Sequence, residues 1–250
     1  MPDASPPIVP PIVRRAVVDS TQRVAFALAE AGAVDRTVVV ADTQTAGRGR
    51  RGRPWHDEPG DSVLASIVVR PRLAVRDLPK LSLVAALAVA EAIEAVAGLG
   101  PRLKWPNDIL VNGRKIAGIL LESRVAAEPV VVVGIGINLG QRAFPPELTA
   151  TATSVRLESG RTVPREAMLD AALAAFDVWR AALEGQGFAA VRARWLELAD
   201  TIGRAVSSEH CMGIATDLDA EGALVVRDHA GRLHHVVAGE LGAVLPRVGD

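Results

Sequence analysis

The 250-residue chain lacks the features that mark several special classes of protein. It has one cysteine, Cys211, which excludes a disulfide framework and fits a reducing compartment. Its 28 basic residues nearly balance its 29 acidic residues, so no overall field draws it to nucleic acid or anionic lipid. Its longest apolar runs, residues 83–90 and 130–137, fall short of the ~20 residues that a membrane helix needs. These absences predict a soluble, cytoplasmic protein with neither a nucleic-acid nor a membrane partner.

Domain organisation follows from proline content and hydrophobic periodicity. Five prolines stand among the first 11 residues and no basic residue precedes them, so residues 1–14 are predicted to form a flexible tail and not a signal peptide. Helix and strand patterns then alternate to about residue 200, which predicts one main domain over residues 15–200. Short strand-like runs separated by turns predict a small all-β module over residues 201–250.

Individual elements are predicted from periodicity and end signals. The predicted helices lie at residues 19–32, 78–100, 165–185 and 188–200. The predicted strands lie at residues 37–42, 62–71 and 129–140, with two more in residues 102–123. The last two flank an Asn112–Gly113 turn, which is a strong hairpin signal. The first helix is predicted to be capped near Ser20 or Thr21.

A short segment, residues 46–55, carries the densest positive charge of the chain. From Gly47 to Arg53 it contains only three glycines and four arginines. Glycine lets backbone N–H groups approach a ligand closely, and the arginine fork matches phosphate or carboxylate oxygens. Three interpretations stay open at this point: a solvated turn, a site for a small anionic ligand, or a nucleic-acid contact. Trp55 is the only aromatic residue close by, which disfavours single-stranded nucleic acid.

Lysine is scarce, because only three of the 28 basic residues are lysines. Two of them, Lys104 and Lys115, lie close together in the predicted hairpin region, whereas Lys80 lies outside it. A compact ammonium is not equivalent to a planar guanidinium at an anionic reaction centre. Lys115 is therefore a candidate for chemistry, and a solvated strand end is the competing interpretation.

Glycines also follow the predicted strand at residues 129–140. Gly134, Gly136 and Gly140 have the wrong spacing for a dinucleotide fingerprint, and no helix pattern follows them, so a Rossmann site is excluded. Small residues with an asparagine after a buried strand favour close packing beside a ligand. Asn138 could there recognise the edge of a purine.

Five motifs occur along the chain: DST at 19–21, QTAGRGRRGRPW at 44–55, KWPNDI at 104–109, GRKIAGIL at 113–120 and GIGIN at 134–138. In this order they resemble the catalytic domain of biotin protein ligases over residues 15–200. Residues 213–240 are similar to the C-terminal SH3-like barrel of that family. The resemblance implies an α+β fold, with a mixed sheet and packed helices of the class II aminoacyl-tRNA synthetase and biotin ligase type, plus the small SH3-like β-barrel.

The resemblance also implies a two-step reaction that uses ATP and Mg²⁺. Biotin and ATP form biotinyl-5′-AMP with loss of pyrophosphate, and the biotinyl group then passes to a lysine of a biotin carboxyl carrier domain of acyl-CoA carboxylases. Bringing the biotin carboxylate to the α-phosphate requires positive charge that does not itself react. The arginine loop and Lys115 would supply this charge. The implied catalytic residues are Lys115, Arg50 and Asp108.

The resemblance implies further roles for residues at positions that match the motifs of the family. The implied biotin-binding residues are Ser20, Thr21, Gln22, Gln44, Gly47, Arg48, Gly49, Arg50 and Lys115. The implied nucleotide-binding residues are Arg53, Trp55, Asn107, Lys115 and Asn138. Asp108 would orient the acceptor lysine or a metal ion, whose ligands the sequence leaves open. Gln22 departs from the family pattern, which has STN where this chain has STQ. The competing interpretations are a helix cap for Ser20 or Thr21 and a core position for Trp55.

Three rival functions stay open. A lipoate or octanoate ligase or transferase has a related fold, but the polar residues expected around a ureido ring disfavour it. A ligand-sensing repressor needs a DNA-binding helical domain, and the roughly 15 residues ahead of the first motif are too few for a helix-turn-helix. A non-catalytic biotin-binding module would need neither Lys115 nor Asp108.

Overall fold

The structure is a computed structural model that describes residues 11–125, 128–209, 211–237, 239 and 241–242. Most of the predicted tail, residues 1–10, lies outside this part of the chain, as do residues 243–250 of the predicted β module. Within the described ranges, no helix is long and apolar enough to span a membrane.

The helices and strands of the main domain alternate much as the periodicity predicts. The strands are β1 (Ile12–Val18), β2 (Val38–Gln44), β3 (Ser62–Val69), β4 (Arg102–Lys104), β5 (Asp108–Val111), β6 (Arg114–Arg124) and β7 (Val130–Asn138). The helices are α1 (Thr21–Glu30), α2 (Lys80–Ala97), α3 (Val155–Ser159), α4 (Arg165–Gln186) and α5 (Ala189–Leu198). Two single 3-10 turns lie at Arg50–Gly52 and Val75–Asp77. All four predicted helices are therefore confirmed.

The seven strands form one mixed sheet in the order β1-β2-β3-β7-β6-β5-β4. Only β1 and β2 are parallel among these neighbours. Helix α2 packs with α4 on one face of the sheet, and α1 covers the other face near Val39, Val68 and Val132. Strand β3 is buried along its whole length. The mixed sheet with packed helices is thus confirmed, and β7 lies between β3 and β6.

Three local features differ from the sequence predictions. Strand β1 begins at Ile12, inside the predicted tail, because its isoleucine and valines pair in parallel with β2 despite the prolines before them. Residues 102–123 form three strands and not two, because the segment between Lys104 and Asp108 turns β5 back against β4. The short helix α3 was not predicted, and the Ser154 hydroxyl caps it by accepting the Leu157 N–H at 3.1 Å.

The predicted hairpin at Asn112–Gly113 is confirmed. Both residues have left-handed backbone, with φ of 50° at Asn112 and 75° at Gly113. Two consecutive positive φ values match the twist of the two flanking strands and are easiest for asparagine and glycine. The turn places Lys115 at the start of β6, opposite Leu110 of β5.

A second, four-stranded antiparallel sheet follows α5. Its strands are β8 (Ala205–Ser207), β9 (Met212–Leu218), β10 (Leu224–Arg227) and β11 (Leu233–Val236), in the order β11-β10-β9-β8. The sheet docks on the main domain: the Trp105 indole N–H donates to the Gly222 carbonyl at 3.2 Å, and Arg192 Nε donates to the Leu218 carbonyl at 2.6 Å. Buried apolar residues from both sheets belong to one continuous core, whereas Val39, Val68 and Val132 form a separate cluster under α1. The described strands form a sheet and do not by themselves establish a closed barrel.

Arg180 of α4 ties three parts of the main domain together while only 7% exposed. Its Nη1 donates to both Asp35 carboxylate oxygens at 3.0 and 2.9 Å, its Nε to Glu184 at 2.8 Å, and its Nη2 to the Arg70 carbonyl at 3.2 Å. Burial opposes the charge, but these hydrogen bonds and the two carboxylates outweigh it and raise the pKa of Arg180 above its ordinary value. The guanidinium therefore stays charged in the folded protein, and each of its three nitrogens donates a hydrogen bond.

Replacing Arg180 with methionine should lower the free energy of unfolding by about 2 kcal/mol, because Asp35 and the Arg70 carbonyl lose buried donors while the side-chain volume is roughly kept. Urea unfolding followed by circular dichroism measures this loss. Arg15→Met is the matched control, since Arg15 is exposed and its side chain bonds only a neighbouring carbonyl among the hydrogen bonds of the described residues. Equal midpoints for the two variants would contradict the structural role of Arg180.

Candidate active site

A cavity of about 730 Å³ lies beside the arginine-rich segment. It gathers residues between Ser20 and Ala152 of the main domain, and Leu241 and Gly242 also reach its wall. The sequence-predicted site residues in its lining are Ser20, Thr21, Gln22, Gln44, Arg48, Gly49, Arg50, Arg53, Trp55, Asn107, Asp108, Lys115 and Asn138. The motifs that the sequence analysis singled out thus meet around one space.

The arginine-rich segment is a narrow hairpin, which we call the arginine hairpin (residues 47–55). The Trp55 N–H donates to the Gly47 carbonyl at 2.9 Å, and the Gly49 N–H donates to the Arg53 carbonyl at 2.7 Å. Its tip requires left-handed backbone, with φ of 55° at Arg51 and 74° at Gly52. Glycine adopts this conformation at no steric cost, whereas arginine does so rarely. These hydrogen bonds and backbone angles give the arginine hairpin one defined conformation, which sets where its arginine side chains begin.

Gly47 is the one predicted site residue that does not line the cavity. A Cβ atom at Gly47 would stand 2.9 Å from the Gln44 Nε2 atom and 3.3 Å from the Trp55 Cβ atom. The first of these distances is shorter than real Cβ contacts allow. Gly47 therefore leaves room for two cavity-lining side chains and is not itself exposed to a ligand in the cavity.

The cavity lining is strongly cationic. Its cations are Arg48, Arg50, Arg51, Arg53, Lys104 and Lys115, and Asp108 is the one carboxylate among the described lining residues. Two unit charges 4 Å apart interact by about 4 kcal/mol at the effective dielectric constant of a partly exposed site. A concave surface with this excess of positive charge attracts anions and concentrates them. Of the interpretations left open above, a small anionic ligand fits this geometry best.

Lys115, one of these cations, contacts both a carboxylate and an aromatic ring. Its Nζ is 2.6 Å from Asp108 Oδ1 and 5.6 Å from the centroid of the Trp55 ring. The side chain remains about one-third exposed. The ammonium is thus held between a carboxylate and the negative face of an indole, on the side of the cavity where an anion can approach it.

The Trp55 ring lies on two glycines that face each other across β6 and β7. Gly118 pairs with Gly136 in the sheet register. A Cβ atom at Gly136 would stand 2.6 Å from Trp55 Cζ2, and one at Gly118 would stand 2.9 Å from Lys115 Nζ. The two glycines therefore form a flat floor for the indole and the ammonium. Trp55 is a wall of the cavity and not a core residue, and its Nε1 is buried with no hydrogen-bond partner among the described residues.

Two arginines of the hairpin reach carboxylates outside the cavity lining. Arg48 Nη2 lies 3.5 Å from Glu122 Oε2 of β6, and Arg51 pairs with Glu209, which precedes β9 of the second sheet. Neither glutamate was found from the sequence, because no local signal links it to an arginine so far along the chain. The hairpin is thus anchored to both parts of the protein.

A neutral polar cluster forms another part of the wall. Gln44 Oε1 accepts both the Thr21 N–H at 2.8 Å and the Thr21 hydroxyl at 3.1 Å. The Ser66 hydroxyl lies 2.9 Å from Thr21 Oγ1 and 3.1 Å from Gln22 Oε1, and Gln22 Nε2 donates to the Val132 carbonyl at 3.0 Å. These bonds fix amides and hydroxyls in place around the cavity. Ser66 was missed, although a serine inside an apolar buried strand was a usable signal.

Ser20 and Asp57 flank this polar cluster. Ser20 is 2% exposed and lines the cavity, and its side chain makes no hydrogen bond that caps α1. Helix capping therefore does not account for it. The Asp57 carboxylate accepts the Gln44 N–H at 3.3 Å, and burial raises the pKa of Asp57 above its ordinary value.

Two asparagines line the cavity with different bonding. Asn138 is 4% exposed, and its Nδ2 donates to the Thr153 carbonyl at 2.9 Å. Its Oδ1 is buried and has no hydrogen-bond partner among the described residues. Asn107 Nδ2 donates to the Ile119 carbonyl at 2.7 Å, and its Oδ1 accepts from Arg50 Nη1 at 3.4 Å. The buried Asn138 acceptor calls for a donor that the described part of the chain does not supply.

The donor set does not form a resident metal site. Among the described residues, no group of three or more His, Cys, Asp and Glu side chains could hold an ion. The one carboxylate of the described lining, Asp108, is paired with Lys115. Mg²⁺ commonly binds through one or two carboxylates together with substrate phosphates. The cavity fits an ion that arrives with a phosphorylated ligand.

Known proteins of similar sequence include biotin ligases. The chain is 38% identical over 228 residues to the bifunctional ligase/repressor BirA of Bacillus spizizenii, covering 88% of this chain and 70% of that protein. It is 40% identical over 225 residues to the biotin–[acetyl-CoA-carboxylase] ligase of Paracoccus denitrificans, covering 86% of this chain and 93% of that protein.

A solved structure extends the similarity to the fold. The biotin protein ligase from Aquifex aeolicus in complex with biotin and ATP superposes with a TM-score of 0.82 at 28% identity, over 93% of this chain and 97% of that chain. Residues 15–139 match the Biotin/lipoate A/B protein ligase family, and they contain all five sequence motifs and all the sequence-predicted residues that line the cationic cavity. The chain therefore belongs to the biotin/lipoate A/B protein ligase family.

Proposed function

We propose that the protein is a biotin protein ligase that forms biotinyl-5′-AMP and transfers biotin to a lysine of a biotin carboxyl carrier domain of an acyl-CoA carboxylase. In the first step a biotin carboxylate oxygen bonds the α-phosphorus of ATP, the bond to the β-phosphate oxygen breaks, and pyrophosphate leaves. In the second step the neutral amine of the acceptor lysine attacks the carbonyl, loses its proton, and displaces AMP. The observation that carries the proposal is the meeting of a neutral polar cluster and six cations around one cavity.

The cations offset the main physical obstacle of the first step, which is electrostatic repulsion between the two substrates. A carboxylate and a triphosphate repel each other, and negative charge concentrates on few oxygens as the new bond forms. Preorganised positive groups at that position stabilise the transition state without having to reorganise. Lys115 would lie at the carboxylate and α-phosphate, Arg53 at the phosphates, and Arg48, Gly49 and Arg50 along the biotin chain and its activated carboxyl group.

The polar cluster fits the other end of biotin. A ureido group carries N–H donors and a carbonyl acceptor, so it needs fixed hydroxyls and amides. Ser20, Thr21, Gln22 and Gln44 would supply them, with Ser66 holding Thr21 and Gln22 in place. A lipoyl group has no such donors or acceptors, so a lipoate or octanoate ligase is disfavoured. A binding module without catalysis would not explain the Lys115–Asp108 pair.

The adenosine would lie near Trp55, Asn107 and Asn138. The Asn138 Oδ1 atom, which has no hydrogen-bond partner among the described residues, matches the 6-amino group of adenine, which is a donor, and it opposes the 6-keto oxygen of guanine. Mg²⁺ would neutralise phosphate charge and would be held mainly by the phosphates, with Asp108 within reach of the cavity. Asp108 would also orient the amine of the acceptor lysine.

Three finer points belong to the same proposal. The second sheet would be the SH3-like barrel of this family, and it would help to dock the acceptor domain. A cytoplasmic location rests on the single cysteine of the chain. The division at residue 200 remains a prediction, because the core runs continuously between the two sheets.

Replacing Lys115 with alanine should slow biotinyl-AMP formation by at least ~100-fold, the usual scale for deleting one electrostatic donor at a reacting centre. Lys115→Arg should fall between this variant and the wild type, since it keeps the charge but not its compact shape. ATP–pyrophosphate exchange in the presence of biotin measures the step, and thermal unfolding verifies that both variants fold. A folded Lys115→Ala protein that exchanges at the wild-type rate would refute the assignment.

Replacing Arg50 with glycine should raise the rate at which biotinyl-AMP escapes, because the cover over the intermediate and its contact with Asn107 are lost together. The escape rate is measured by trapping released biotinyl-AMP after a single turnover. Arg76→Gly is the control, since Arg76 is largely exposed and lies outside the cavity lining. Equal escape from Arg50→Gly and the wild type would remove Arg50 from this role.

Replacing Asn138 with alanine should weaken ATP binding about five- to ten-fold, which is the usual range for one lost hydrogen bond. The preference for ATP over GTP should fall with it, because the acceptor that opposes the guanine oxygen is gone. Calorimetry with each nucleotide measures both effects. Biotin affinity should stay unchanged. A loss of biotin binding with intact ATP binding would contradict the prediction, because it would place Asn138 at biotin and not at the adenosine.

A further inference from the structure

Glu158 is a buried carboxylate that the proposed mechanism does not use. It lies on α3, its side chain is 4% exposed, and it is not part of the cavity lining. Burial acts to raise its pKa, but hydrogen bonds from Thr153, Asn112 and Arg114 outweigh burial and hold the pKa of Glu158 below its ordinary value. A charged group is thus retained in a place where desolvation penalises it, which calls for a reason.

The three donors to Glu158 come from two different parts of the chain. Asn112 Nδ2 donates to Oε2 at 2.7 Å, and Arg114 Nη2 donates to Oε1 at 2.8 Å, so both sides of the β5–β6 turn are held. The Thr153 hydroxyl donates to Oε1 at 2.5 Å from the segment that leads into α3. One carboxylate therefore joins the hairpin tip to residues 151–153.

Lys115 lies between these two attachments. Its N–H donates to the Thr151 carbonyl at 2.7 Å, and its carbonyl accepts the Thr153 N–H at 2.8 Å. The pairing of β5 with β6 shifts register between Ile109 and Leu110, so the ladder next to Lys115 is irregular. A β-bulge disrupts the ladder locally, so the pairing of β5 with β6 fixes the backbone beside Lys115 less firmly than a regular ladder would. The position of this backbone depends on what holds it from outside.

We propose that Glu158 is a positioning residue of biotinyl-AMP formation: by tying the Asn112–Arg114 turn to Thr153, it fixes where the Lys115 ammonium lies. This inference rests on the role proposed above for Lys115. Glu158 touches neither substrate and acts only through the lysine. Misplacing a reacting group by about 1 Å can cost ~100-fold in rate, so a tether of this kind is worth a measurable part of the first step.

Glu158→Gln is the sharpest variant, because it keeps the size of the side chain and removes the charge. The amide has one acceptor oxygen for three donors, and its NH₂ group opposes the N–H or O–H groups that now point at it. At saturating biotin and ATP, single-turnover adenylate formation should slow about ten-fold. Transfer of biotin from supplied biotinyl-AMP to an acceptor domain should slow less than about five-fold.

A double-mutant cycle separates positioning from general loss of stability. Glu158→Gln should slow adenylate formation about ten-fold in the wild-type background and less than two-fold in the Lys115→Ala background. Asp35→Asn is the matched control, because Asp35 is another carboxylate that collects arginine and backbone donors, but it lies outside the cavity lining. This control should lower the unfolding midpoint without slowing adenylate formation.

A second variant covers the case in which Glu158→Gln does not fold. Asn112→Gly keeps the positive φ of the turn and removes one of the three donors, so it should slow adenylate formation about three-fold with little loss of stability.

Two results would overturn the positioning role of Glu158 and leave the role of Lys115 intact. One is that Glu158→Gln slows adenylate formation by the same factor in the wild-type and Lys115→Ala backgrounds. The other is a normal rate of adenylate formation in Glu158→Gln and Asn112→Gly, or in whichever of the two folds. A normal rate in Lys115→Ala would overturn the role of the lysine and this inference with it.

Discussion

Six like-charged side chains around one cavity repel each other, and carboxylates hold three of them in place before any ligand arrives. Asp108 holds Lys115 from β5, Glu122 holds Arg48 from β6, and Glu209 holds Arg51 from the loop before β9. Each carboxylate belongs to a different part of the chain, so folding itself sets the distances between these three cations. This arrangement lowers the cost of assembling positive charge at the moment of reaction, which is the physical basis of electrostatic preorganisation.

The sheet supplies the fixed frame for these charges. Strand β3 is buried throughout, and β7 between β3 and β6 leaves a glycine opposite a glycine at the point where Trp55 and Lys115 rest. A side chain at Gly118 or Gly136 would displace either the indole or the ammonium. The same sheet therefore meets two requirements. The apolar core needs large side chains, whereas the cavity needs glycines at the positions under Trp55 and Lys115.

Sequence reasoning succeeds where signals are local. The helices have a 3.6-residue period, the Asn112–Gly113 turn has its own φ requirement, and the five motifs locate most of the cavity lining. It fails where structure depends on distant pairing. Strand β1 is hidden by neighbouring prolines and becomes a strand only through β2. Glu122, Glu158 and Glu209 carry no local mark, because what each one does depends on a partner elsewhere in the chain.

The segment between β4 and β5 links the second sheet to the chemistry. Trp105 is 2% exposed; its N–H donates to the Thr201 hydroxyl and its indole to the Gly222 carbonyl. A few residues further on, Asn107 accepts from Arg50 and Asp108 pairs with Lys115. One short stretch of backbone thus both docks the second sheet and places two predicted site residues, Asn107 and Asp108. With Glu209 as a second connection to the arginine hairpin, the small sheet is a structural part of the site and not an appendage beside it.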